Sequence, residues 1–207
     1  MLNWTVITES LGLLEAAAAA ISDANQQAPT PCTQWTVTQV LQHAVGDQLA
    51  WAAAIGVGTG PSENPFAPSG HLEAGVDDLV KPALAAARTA WSNVSQHDGA
   101  VSTPLPQGPL QAQIAAGACA LDAAVHAWDI AVAIGQPAFL PSELAERLLP
   151  AARAVVEPLR AYGAYAEALA PRPDDDGAAE LLRYLGRNPR WSGARWGEPD
   201  DVSSTTR

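Results

Sequence analysis

Basic residues are scarce. One lysine, Lys81, and ten arginines stand against 22 acidic side chains, and the formal net charge of the 207 residues is −11. With no basic stripe to offset it, such a charge repels nucleic-acid phosphates and anionic membrane surfaces, so neither partner is expected. Cysteine is nearly absent. Cys32 and Cys119 are too few for a disulfide scaffold and lack CxxC spacing; they read as two reduced thiols, one near a loop and one buried. The opening "MLNWTVITESLGLLEAAAAAI" has no basic n-region and carries Glu9 and Glu15, which argues against a signal peptide. No run is read as approaching the apolar length of a membrane span. A cytoplasmic, soluble protein is expected, as a monomer or homodimer. GxSxG, GxGxxG and P-loop patterns are missing. "GVGTG" at 56–60 lacks the strand a nucleotide loop needs, and "DDD" at 174–176 lacks EF-hand spacing and reads as a solvated turn.

What is present is helical. Apolar residues make up 48% of the chain, alanine is abundant, and Val and Ile never fall in alternating runs. Helices are predicted from Thr5 to Ala24, Val37 to Ile55 with Thr36 as N-cap, Leu72 to Trp91 kinked at Pro82, Leu110 to Ile134 closed by Gly135, Ser142 to Tyr162, and Ala178 to Leu185. The long Gly/Pro/Ser loop "GVGTGPSENPFAPSG" is read as a lid over a site. Residues 1–197 form one domain and 198–207 a flexible tail; no repeat or second domain is visible. Four long helices argue for a bundle.

One stretch resists that bland reading. "LDAAVHAWDIAVAIG", 121–135, is apolar yet carries Asp122, His126 and Asp129. Asp122 and His126 stand at i and i+4, one turn apart on one helix face. By themselves they read as an intrahelical hydrogen-bonded pair on a wet face, since ordinary ion pairs also take this spacing. His43, on the second helix among Val40, Leu41, Ala44 and Val45, supplies a third group. Bundles build metal sites from side chains projecting inward from facing helices. Two imidazoles and a carboxylate would leave coordination positions open, as catalytic sites do. Asp47 or Asp129 would then orient a ligating imidazole or move protons, the alternatives being a solvated face or a cap. Trp35, Trp51 and Trp128 flank these residues as candidate pocket walls. His71 and His97 read as surface residues.

"PTPCTQWTVTQVLQHAVGD" (29–47), "VHAWDIAVAIGQP" (125–137) and "LLRYLGRNPRW" (181–191) together resemble, in order, the signatures of an actinobacterial metal-binding family. That family is related to the metal-binding domain of mycothiol-dependent maleylpyruvate isomerase, within the DinB-like bundle superfamily. The resemblance implies an all-α, up-down-down-up four-helix bundle, with additional helices at the C-terminal end. It implies a divalent metal held by His43, Asp122 and His126, and mycothiol as co-substrate. Two departures stand out: the isomerase has Glu where this chain has Asp122, and it carries an additional C-terminal domain, so its substrate is not carried over. The expected function is a thiol-dependent S-transferase or cis–trans isomerase acting on a small electrophile. Zinc is the expected metal, with nickel or iron as alternatives. A non-catalytic metal- or ligand-binding module, or a secondary-metabolism lyase or cyclase, would use the same pocket.

Overall fold

A computed structural model describes residues 4–137 and 140–193. It contains α1 (Thr5–Ala19), α2 (Val37–Ala54), α3 (Val76–Ser92), β1 (Ala100–Val101), β2 (Leu110–Gln111), α4 (Ala112–Ala133), α5 (Ser142–Arg160) and α6 (Gly177–Tyr184). The protein is the all-α bundle expected. Helix α1 packs on α4, α4 on α2, α2 on α3 and α3 back on α1, which closes a four-helix ring. Helix α5 covers the remaining side of α4, and α6 lies on α5. β1 and β2 pair antiparallel, Val101 opposite Leu110, and lead directly into α4. The expected tail lies outside the described residues.

The elements follow from local chemistry. Ile7, Leu11, Leu14 and Ala18 line one face of α1 and are all buried. The helix is shorter than predicted because Asn25 accepts from the Ser22 amide at 2.8 Å, a local turn that competes with helix propagation. Thr36 caps α2 as predicted: its hydroxyl accepts from the Gln39 amide, and the Gln39 side chain returns the bond to the Thr36 amide. Helix α3 starts later than expected, after an extended Gly75, with Asp77 and Asp78 in its first turn; it runs on past Pro82 to Ser92. At the end of α4, Gly135 takes φ +72° and the Gly135 and Gln136 amides return to the Val132 and Ala131 carbonyls.

Helix α4 is central. It corrects the expectation that no stretch reaches membrane-span length, since its 22 residues are long and apolar enough to do so. The three ionisable residues inside it disguise that length in the sequence. Its surface faces α1, α2 and α5 rather than lipid: from Ala115 to Ile130 every residue but Asp122 is buried. Ionisable groups on such a helix need partners.

Candidate metal centre

Helices α2 and α4 lie side by side, and His43, Asp122 and His126 converge between them. His43 Nε2 is 3.7 Å and His126 Nε2 3.5 Å from the same Asp122 oxygen, Oδ1. The two imidazole rings stand edge to face, 4.8 Å apart.

The outer nitrogens of both rings are committed. His43 Nδ1 lies 3.0 Å from the Pro65 carbonyl, which can only accept, so Nδ1 carries the proton. His126 Nδ1 lies 3.0 Å from Asp129 Oδ2 and donates to it. In the neutral imidazoles both Nε2 atoms then present lone pairs. Asp122 is fixed as well, because Gln48 Nε2 donates to its other oxygen, Oδ2, at 3.3 Å. Three electron-pair donors thus face one another, an arrangement that needs a proton or a metal cation among them. The edge of a tetrahedron built on bonds of about 2.1 Å is about 3.4 Å, close to the separations found here. The donor set fits a divalent ion, and His43, Asp122 and His126 all line an open cleft.

Electrostatics agree. Burial, then the charge of Asp47, pushes the Asp122 carboxyl well above the usual range, against the Gln48 hydrogen bond. Burial lowers His126 to about 4 against its hydrogen bond to Asp129. Asp129 behaves oppositely. Burial raises it, but the Arg187 charge and hydrogen bonds from His126 and Arg187 more than offset that and hold it below the ordinary value. Arg187 Nε and Nη2 grip both Asp129 oxygens at 2.8–3.2 Å.

Asp129 is fully buried, orients His126 and is neutralised by Arg187. Asp47 does not orient His43, a task the Pro65 carbonyl performs. Its Oδ2 sits 3.9 Å from the free His43 Nε2, on the cleft side. A second group, Cys32, His126 and Asp129, also gathers within 4.8 Å. It is a poorer metal set, because Asp129 is neutralised by Arg187 and burial pushes the Cys32 thiol up to about 12.

The centre opens into a cleft of about 680 Å³, within the usual range for small-molecule sites. Trp35 and Trp51 line it, whereas Trp128 packs into the core. His71 and His97 are exposed, as expected. The 56–70 loop does cover the site, through the Pro65 carbonyl and through Phe66, whose ring lies 5.3 Å from that of His43. Sequence reasoning missed Gln48, Pro65, Phe66 and Arg187. Only Arg187 had a signal, its place in "LLRYLGRNPRW". The "DDD" run is more than a solvated turn: Asp176 caps α6, Asp175 pairs with Arg183, and Asp174 with Arg190.

Gly46 shows how closely the loop is seated. A β-carbon there would stand 2.9 Å from Pro65 Cγ. Gly46→Ala is expected to push the Pro65 carbonyl off His43 and weaken metal binding roughly tenfold. Stability should change little, because alanine favours the helix by about 1 kcal/mol. Metal titration beside a urea melt measures both.

A helical bundle that gathers two histidines and an aspartate from facing helices over an open cleft has the form of a DinB-like protein. Residues 8–131 match the family model described as mycothiol maleylpyruvate isomerase N-terminal domain, and the chain belongs to that family. It is also 36% identical over 168 residues to two Mycobacterium tuberculosis proteins, "Uncharacterized protein Rv0738" (strain H37Rv) and "Uncharacterized protein MT0763" (strain CDC 1551). Each alignment covers 78% of this chain and 85% of the relative. No solved structure matches the chain.

Proposed function

We propose that this chain is a cytoplasmic, metal-dependent enzyme that holds zinc, or alternatively nickel or iron, through His43, Asp122 and His126. It uses a low-molecular-weight thiol of the mycothiol type as an S-transferase or cis–trans isomerase on a small electrophile. One observation carries the reading: both histidines are tethered at Nδ1 and turn Nε2, the atom free to ligate in a neutral imidazole, toward the same Asp122 oxygen. Bound there, a zinc-like ion lowers the pKa of a thiol and makes the thiolate available at neutral pH.

The protein's own groups do the rest. Asp129 and the Pro65 carbonyl fix the two rings. Gln48 keeps Asp122 turned toward them. Asp47, on the cleft side of His43, accepts the proton of the incoming thiol; Asp129 cannot, because Arg187 holds both its oxygens. Trp35 and Phe66 flank the His43 ring and keep water from that side.

Protein purified without added metal should carry about one ion per chain, and His126→Ala should carry almost none; equal metal in both would sink the site. Incubation with electrophiles then tests the reaction. Stoichiometric loss of thiol indicates transfer, and isomerisation at catalytic thiol levels indicates isomerase. Metal without either indicates a binding module.

A further inference from the structure

Deepening that reading of the centre, and resting on it, we propose that the cleft's second substrate is a neutral, flat, ring-bearing electrophile, and that dicarboxylates are excluded. Charge is the first reason. A divalent ion with two neutral imidazoles and the Asp122 carboxylate is left with one positive charge, and a bound thiolate cancels it. Asp47 adds no positive charge in either protonation state. Among the described residues lining the cleft, Arg187 is the single cation. Its Nε and Nη2 grip Asp129, and its Nη1 reaches the Leu185 carbonyl at 3.5 Å, so it has no free fork for a carboxylate.

The walls are the second reason. Trp35 and Phe66 flank His43, with ring centroids 4.7 and 5.3 Å away. Three large hydrophobic side chains stand exposed among the described residues: Phe66, Tyr162 and Leu169. Two of them, Phe66 at 65% and Tyr162 at 75% exposure, rim this cleft. Apolar rings left in water around the mouth of a pocket mark a surface that a ligand covers. Aromatic walls favour a planar partner that can stack or meet them edge-on.

The test compares 2-naphthamide with 2-naphthoate, which share a ring system and differ in charge, and with maleate as the dicarboxylate. Binding is followed by ligand-observed NMR in two forms, metal-free protein and zinc-loaded protein saturated with 2-mercaptoethanol. In both, the amide should bind at least about tenfold more tightly than the naphthoate, and maleate should not bind. Phe66→Ala/Tyr162→Ala should weaken the amide about fivefold or more, whereas Leu169→Ala leaves it unchanged. Naphthoate or maleate binding as tightly as the amide would overturn the proposal. So would amide binding that ignores the rim variant, or that is undetectable at millimolar concentration. If zinc does not bind, the metal reading fails by metal analysis, and the metal-free arm still decides the preference for a neutral ring.

Discussion

Arg187→Leu will destabilise the protein by about 3–5 kcal/mol and lower its thermal midpoint by roughly 10 °C. Asp129 is fully buried on α4, and Arg187 holds both its oxygens. Removing the guanidinium leaves that carboxylate in the core without a counter-charge, and the His126 ring as its remaining hydrogen-bond partner. The carboxyl must then stay charged at high cost or take up a proton. Either outcome loosens His126, so zinc affinity should fall about 10–100-fold in the protein that remains folded. The double variant Asp129→Leu/Arg187→Leu separates the two effects. Replacing both members of a buried ion pair by apolar residues is often neutral, so most of the stability should return. Zinc affinity should not, because nothing then orients His126. Urea melts and zinc titrations on the three proteins decide it. A loss below about 1 kcal/mol in Arg187→Leu would mean the pair is worth no more than a surface bridge.

The fold was largely legible because periodicity and caps are local. Thr36 with Gln39, Gly135 with its following amides, and the 7-11-14-18 face of α1 all declare themselves within one or two turns. Boundaries slipped where a side chain competed with the backbone, as at Asn25. The three converging residues were legible for a similar reason: Asp122 and His126 share a helix face, and His43 interrupts an apolar face on another helix. What holds them was not. The Pro65 carbonyl, Gln48 and Arg187 reach the centre from 22, 74 and 58 residues away, and each would be ordinary anywhere else. A backbone carbonyl leaves no mark in a sequence at all. Trp128 misled for the opposite reason. It is adjacent to Asp129 in the chain, but adjacent helical residues face different directions, and its ring packs into the core.

Acid will affect the zinc-loaded and metal-free proteins differently. In the metal-free protein, burial holds His126 neutral down to about 4, whereas an unfolded histidine titrates near 6.5. Between those values the unfolded chain binds a proton that the folded chain does not. Stability from this group is therefore complete above about pH 6.5 and falls, by about 3 kcal/mol in all, as pH drops toward 4. Asp122 has the opposite sign. Its folded carboxyl sits above the ordinary value, so the folded chain takes a proton before the unfolded one, and acid stabilises the fold over that window. The two slopes oppose each other, and the metal-free profile should be shallow. Asp129 contributes nothing here, because its depressed carboxyl gives up stability only at still lower pH. Zinc requires Asp122 ionised and both His43 and His126 neutral, which removes the Asp122 slope and adds a second imidazole to the loss. With both imidazoles held neutral, the loaded protein should therefore lose about 6–7 kcal/mol between pH 6.5 and 4, and the metal-free protein less than half of that. At mildly acid pH, zinc binding should also release a proton from Asp122, readable in a weakly buffered titration. Burial raises the Asp47 carboxyl in the same sense, so Asp47→Asn/Asp122→Asn supplies the control: without the opposing carboxyls, its metal-free profile should show the full histidine slope. A shallow profile in that variant would show that His126 does not stay neutral in the folded protein.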